Sequence, residues 1–473
     1  MELKIKNRTR WIWSKVPILV MILLFLISLN GFAEEAVKEQ KKKSQEERIE
    51  ELEKKLQSVT EEVQKLKSQG VAEQKVKEIE EKLDVLAEEI EKIKSAAVEK
   101  EPEYKEVFGQ APAASKVFLV GKGLSIGGYG ELAGEFRRKG DNIADLERAV
   151  LYFGYKFTDR IIFNSEIEFE HAGITEEGKE LAGDSGEVDV EFANLSFLLH
   201  DRFNIRAGLI LIPIGIINEV HEPTTFFGVL RPDVETFIIP TTWRENGIGI
   251  FGQLVPGLSY RAYVVAGLNS RGFSAEEGIA GGRSNGTLSR INDPAFVGRV
   301  EYNRILGLRV GGSFYIGNSG QNEEVNGKTI GGLTTIYEAD VEYQYRGFEA
   351  RGLFAFVNIH DAALINLNNG FEGMDSIGKD LYGWYVEAGY NVLPLFFNTS
   401  HYLAPFARFE AYNTQFRVPS GFESNPANNR KTITFGLSYK PIPNVVIKLD
   451  FQDRRNENNT AENQFNVGLG YVF

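Results

Sequence analysis

From about residue 118 to the C-terminus, apolar and polar positions alternate with a period of two. Ala149, Leu151, Phe153, Tyr155 and Phe157 interleave with Arg148, Val150, Tyr152, Gly154 and Lys156. After the tight turn Thr158-Asp159-Arg160, the apolar set Ile161, Phe163, Ile167 and Phe169 interleaves with Asn164, Glu166, Glu168 and Glu170. The rhythm recurs to the end, where Phe465, Val467, Leu469, Tyr471 and Phe473 share one face. Period two is the signature of strands with one apolar and one polar face. The pattern predicts sixteen of them, centred near residues 131, 152, 166, 193, 207, 250, 263, 298, 312, 340, 354, 386, 407, 435, 450 and 468. Short turns at 158–160, 200–202, 255–257, 303–306, 346–347 and 441–444 alternate with long polar connections. An even strand count with one short-turned and one long-looped end predicts an all-β, sixteen-stranded antiparallel transmembrane barrel over residues 118–473. Two places break the rhythm. Val188 to Leu199 changes phase near Phe192, which predicts a bulge, and Asn391 to His401 is long for a turn at the short end.

One connection stands apart. Ile212 to Asn246 is as long as three strands, and Pro213, Pro223, Pro232 and Pro240 interrupt any helix or ladder. Phe226, Phe227, Val229, Leu230, Phe237, Ile238 and Ile239 make it too apolar to remain in water. It is therefore expected to fold into the barrel as the third outer loop and to narrow a pore. Its charged residues, Glu219, Glu222, Arg231, Asp233, Glu235, Arg244 and Glu245, with His221 among them, are the candidate constriction. The candidate lumen wall comprises Arg206, Arg261, Arg299 and Arg309 on one arc, with carboxylates at Glu166, Glu168, Glu338, Asp340 and Glu342. An acidic loop facing an arginine arc across a gap would set up a transverse field that favours polar solutes, with a slight preference for cations. Glu219-Val220-His221-Glu222 also suggests a metal site. Neighbouring side chains diverge there and no HExxH spacing occurs, so no metal is predicted.

Ahead of the strands the period is 3.5. Apolar residues at Ile49, Leu52, Leu56, Val59, Val63 and Leu66, then Val76, Ile79, Leu83, Leu86, Ile90 and Ile93, form an a/d seam among charges. This predicts a coiled coil over residues 34–95, with a phase slip around Gly70, and a linker over 96–117 rich in Ala, Pro, Glu and Gly. Residues 1–33 carry a basic start, an apolar run from Val16 to Leu29 and a Gly31-Phe32-Ala33 cleavage site, the pattern of an export signal. The coiled coil is then expected in the periplasm, joining protomers or reaching the cell wall or a surface layer.

Composition sharpens this. Cleavage after Ala33 leaves 48 basic against 65 acidic residues, a formal charge of −17, which argues against a nucleic-acid partner. Without cysteine there is no disulfide framework or thiolate site. A closed sheet supplies stability by another route, because closure leaves no unpaired edge. The 48 glycines and 51 Phe and Tyr residues suit a barrel with aromatic girdles. Five histidines and no GxSxG serine give no catalytic constellation, so neither an enzyme nor a cofactor is expected.

The run Asn218-Glu219-Val220-His221-Glu222-Pro223, with Phe227-Gly228, Arg231-Pro232, Ile239-Pro240 and Trp243-Arg244-Glu245-Asn246-Gly247, resembles the phosphate-selective porin O and P family. The resemblance runs from about Phe118 to Phe473. It implies a homotrimeric outer-membrane porin whose third loop narrows the channel, with phosphate held by lumen arginines and by lysines near the constriction. This chain departs from that pattern, since no lysine occurs between Lys179 and Lys328. Passive diffusion of small hydrophilic solutes or inorganic ions is the leading expectation; phosphate selectivity and a structural tether are the alternatives.

Overall fold

In the computed structural model, residues 106–172 and 186–473 are described; residues 1–105, where the export signal, the coiled coil and the start of the linker are expected, and residues 173–185 lie outside them. Sixteen strands close into one antiparallel barrel. In chain order these are β1 (Gly123–Arg137), β2 (Ile143–Thr158), β3 (Ile161–Glu170), β4 (Val188–His200), β5 (Phe203–Leu211), β6 (Arg244–Val255), β7 (Leu258–Ala266) and β8 (Pro294–Tyr302). They continue as β9 (Leu308–Gly317), β10 (Thr334–Tyr345), β11 (Phe348–Ile359), β12 (Asp380–Tyr390), β13 (Tyr402–Arg417), β14 (Asn429–Ile442), β15 (Val445–Asn456) and β16 (Gln464–Val472). Each expected strand centre falls inside one of them. Every strand pairs with its sequence neighbours, and β1 closes on β16 in the register Tyr129↔Val472 to Arg137↔Gln464.

Turn chemistry fixes the short end. β10 and β11 are joined by Arg346 and Gly347, both at positive φ (50° and 83°), the two-residue turn whose twist matches the strands it links. The longer turn at 391–401 contains a short 3-10 turn, Leu393–Leu395, and exposes Leu395, Phe396 and Phe397. The expected phase change is also present. Glu166 pairs with Phe192 but Ile167 with Val190, so Glu191 is a bulged residue and both Glu191 and Phe192 face inward.

Alternation sorts the two faces. Outward residues such as Ile248, Val264, Val300, Phe354, Val386 and Phe435 stay exposed as a lipid-facing band. Aromatics gather at both rims: Tyr155, Phe157, Tyr302, Tyr345, Phe348 and Tyr471 at the short-turn end, and Phe169, Phe296, Tyr337 and Phe416 at the long-loop end. The buried apolar residues lie inside the barrel. The largest cluster joins Ile212, Ile214, Ile238, Ile239 and Trp243 of the third outer loop to wall residues such as Tyr263, Tyr315 and Tyr385. It also includes Phe273, Ile279, Ile330 and Ile365 from the neighbouring outer loops. Phe226, Phe227, Val229, Ile238 and Ile239 are each at most 4% exposed, and burying such a side chain stabilises by about 1.5–3 kcal/mol.

Candidate channel constriction

The loop begins at Ile212 and ends at Trp243. Arg244, Glu245 and Asn246, expected within it, instead open β6, because they pair with Leu211, Ile210 and Leu209 of β5. Asn218 closes the neck. Its amide donates to Ile212 O (2.7 Å) and Trp243 O (3.0 Å), and its oxygen accepts the Trp243 amide at 2.6 Å. From there the chain crosses to the far wall. Val229 N–H donates to Asp450 of β15 (2.6 Å), and Val234 N–H to Glu410 of β13 (3.2 Å). Phe227 stacks on Phe406 with centroids 5.3 Å apart, and Phe237 on Tyr412 at 5.5 Å. Wall glycine makes room for this approach: a side-chain carbon at Gly389 would lie 2.7 Å from the Phe227 ring.

The loop's charges are mostly engaged. Glu219 pairs with Arg261 at 3.2 Å. His221 Nε2 lies 3.3 Å from Glu166 and 3.1 Å from Glu191. Glu222 accepts the amides of Ala113 (2.8 Å) and Ala114 (3.4 Å). Arg231 donates to Thr241 Oγ1 (2.9 Å), while Asp233 accepts from Thr432 (3.0 Å) and pairs with Arg454 at 3.4 Å. Glu235 accepts the amides of Ile216 (2.8 Å) and Ile217 (2.7 Å) and the Tyr385 hydroxyl (2.6 Å). It lies in the loop, outside the strands, and burial pushes its carboxyl up to about 7, partly opposed by these three donors. On β6, Arg244 reaches Asp189 and Glu191, and Glu245 accepts the Ser284 amide at 2.9 Å.

The wall differs from expectation in one respect. The arginine arc does exist on β5, β7, β8 and β9, yet it does not face the acidic loop across a gap. Arg206 donates to Ser196 (3.1 Å) and Phe108 O (3.3 Å) and stacks over Phe251 at 4.7 Å. Arg261 is shared by Glu219 and Glu301. Arg299 reaches Asp340 (2.7 Å), Glu338 (3.3 Å) and Glu301 (3.4 Å), and Arg309 bonds Glu342 and Glu106. Unlike charges at these distances collapse into direct pairs, because desolvation is repaid only by contact. Arg206, Arg261, Arg299, Glu166, Glu168, Glu338 and Asp340 are each no more than 6% exposed. They are held in buried ion pairs and hydrogen bonds, Arg206, Arg261 and Glu166 with the loop or residues 106–120 and the others with neighbouring wall residues, rather than lining open water.

That N-terminal stretch, expected as linker up to residue 117, enters the barrel beside β2 and β3. Asn164 of β3 donates to both Gln110 Oε1 and Ala114 O at 2.9 Å, and Lys156 to Val120 O at 3.1 Å. A side-chain carbon at Gly154 would lie 2.5 Å from Val117, so only glycine permits this seat. Below the loop, at the short-turn end, is a cavity of about 610 Å³. Ile216, Ile217 and Val220 of the loop close it, and Arg309, Glu342, Glu349, Arg351 and Lys440 line its sides.

Residues missed in the sequence include Glu191, Glu301, Asn218 and Asn164. Glu301 was legible, since it alternates in phase with Arg299; Glu191 is inward only because of the bulge.

No family model matches the chain. An uncharacterised protein of Aquifex aeolicus (strain VF5) is 42% identical over 359 residues, covering 74% of this chain and 79% of its own length. The chain belongs to that protein's family. Among solved structures, Salmonella typhi OmpF, determined in complex with daunomycin, is similar with a TM-score of 0.50 at 15% identity, over 75% of this chain and 98% of that one. An anion-selective porin from Comamonas acidovorans is similar with a TM-score of 0.44 at 11% identity, over 74% and 99%. The closed sixteen-stranded sheet and its likeness to OmpF establish a porin-like barrel fold.

Proposed function

We propose that this protein is a passive outer-membrane channel for small hydrophilic solutes or ions, narrowed by residues 212–243. The observation that carries this reading is the charged cavity of about 610 Å³ inside the closed barrel, ending on the loop. A solute entering from the short-turn end meets Ile216, Ile217 and Val220 and passes only where the loop yields, which favours small species. Homotrimeric assembly and a periplasmic coiled coil that joins protomers or contacts the cell wall complete this reading.

Ion preference follows from which charges line the cavity, and the loop's acids do not. Glu219, Glu222, Asp233, Glu235 and Glu245 are each bonded within the protein. The bias therefore comes from the cavity, where Arg309, Arg351 and Lys440 stand against Glu342 and Glu349. Screening over about 8 Å at physiological salt makes these local charges decisive. The expected selectivity is weak and leans to anions, a revision of the cation preference inferred from the loop's composition. Arg309 is held by Glu106 and Glu342, and Arg351 by Glu387, which disfavours a dedicated phosphate site.

Planar-bilayer recording tests this. Discrete conductance steps, a small reversal potential in a KCl gradient and little block by added phosphate are expected. Lys440→Glu should shift the reversal potential towards cations. A strongly anion-selective channel blocked by phosphate would establish the phosphate-selective alternative. Absence of steps from inserted protein would leave the tether.

A further inference from the structure

We propose that Glu166 of β3, Glu191 of β4 and His221 of the third outer loop form a binding site for one divalent transition-metal cation of the zinc class. The three side chains come from separate elements and are at most 1% exposed. One ligand atom from each lies within 4.8 Å of the others. His221 Nε2 is 3.3 Å from Glu166 Oε1 and 3.1 Å from Glu191 Oε2. Bonds of about 2.0–2.1 Å in a tetrahedral site would separate neighbouring ligand atoms by about 3.3 Å, close to both values.

The imidazole is oriented for this role. Its Nδ1 lies 2.9 Å from Asn218 O. A carbonyl only accepts, so Nδ1 carries a proton, and Nε2 faces both Glu166 and Glu191; in the neutral ring it would turn a lone pair towards them. A backbone carbonyl on the outer nitrogen is also the usual support for a metal-bound histidine. Two arrangements relieve the repulsion between that lone pair and the carboxylates: a second proton on the ring, or a cation among the three groups.

The surroundings favour the cation. Glu166 Oε2, Glu191 Oε2 and Glu168 Oε1 are buried without hydrogen-bond partners, as are the hydroxyls of Tyr129 and Tyr152. The nearby cations are committed elsewhere. Arg148 serves Glu131, Glu147 and Glu168, and Arg244 reaches Asp189 as well as Glu191. One imidazole with carboxylates suits zinc, manganese or iron(II) better than magnesium or calcium, which take oxygen ligands alone. Bound metal would fasten the loop to β3 and β4. The Glu219 to Glu222 run failed as a linear motif because Glu219 and Glu222 turn to Arg261 and to the Ala113 amide. The two carboxylates come from the wall instead.

The test uses untagged full-length protein, unfolded in urea with a chelator, then refolded into detergent with ZnCl₂ or CoCl₂ and freed of excess metal by gel filtration. Bound metal is counted by elemental analysis. About one equivalent per chain is expected, with a visible cobalt absorption band of a four-coordinate N/O site. His221→Ala should abolish uptake, and Glu166→Gln or Glu191→Gln should weaken it about 100-fold or more, whereas His360→Ala should leave it intact. Folded wild-type protein that takes up no stoichiometric metal overturns the proposal and leaves a doubly protonated His221. So does uptake that survives Glu166→Gln and Glu191→Gln, or that millimolar MgCl₂ or CaCl₂ displaces. The wild-type count and cobalt spectrum decide the matter even if His221→Ala fails to fold.

Discussion

Glu235 offers the sharpest test of how the third outer loop is held. Its carboxylate accepts three hydrogen bonds, from the amides of Ile216 and Ile217 and from the hydroxyl of Tyr385 on β12. It therefore ties the start of the loop to its middle and both to the wall. Glu235→Ala removes all three hydrogen bonds and strands three buried donors, at about 1–3 kcal/mol each. Water entering the vacated space would recover part of this, so a local loss of about 3–5 kcal/mol is expected. At about 1.4 kcal/mol per tenfold, this raises the released population of the segment by roughly 100-fold or more. The barrel should survive, because its sixteen ladders do not involve this side chain. Glu235→Gln keeps one oxygen for the two amides and should cost about 1 kcal/mol. Single-channel recording should show larger and noisier conductance for Glu235→Ala than for Glu235→Gln or wild type. Limited proteolysis should cut the loop faster in the same order. A normally inserted Glu235→Ala barrel with wild-type conductance and protease resistance would refute the assignment of Glu235 as an anchor.

Other outcomes follow from the same contacts. Because burial raises the Glu235 carboxyl from 4.5 to about 7, its contribution is fully present below about pH 4.5 and is lost as pH rises through about 7. Channel noise in wild type should therefore increase between about pH 5 and 7, and this change should vanish in Glu235→Gln. Asn164→Leu removes both hydrogen bonds that seat residues 110 and 114, so a cysteine placed at Ala114 should become accessible to a membrane-impermeant thiol reagent. Unchanged labelling would show that Asn164 does not hold the segment. Phe473 exchanges backbone hydrogen bonds with Gly128 (2.8 and 3.0 Å) where the barrel closes. Deleting it should lower the yield of folded, membrane-inserted protein on a heat-modifiability gel, and an undiminished yield would count against this closing role.

The strands, their number, the bulge near Phe192 and the in-folding of the third outer loop were legible because each rests on local rules. Period two sorts faces, glycine marks tight turns, and a long apolar connection must find cover. Lipid outside the barrel enforces that alternation along every strand, so sixteen weak signals agree. The site followed other rules. Composition alone suggested an acidic loop facing an arginine arc. Charges brought together in a confined, poorly hydrated space form contacts instead, and Glu219 on Arg261 or Arg299 among Glu301, Glu338 and Asp340 is the result. Which partner each takes depends on register and on where the loop crosses, and neither is local. The same holds for residues 106–120, whose linker-like composition gives no hint of the seat that Gly154 and Asn164 provide. Glu166, Glu191 and His221 meet only because closure brings two strands to the loop and a single bulged residue turns Glu191 inward. Sequence determines the faces of the wall; the tertiary structure decides which charges meet across the lumen, since those meetings join residues from about 30 to more than 200 positions apart.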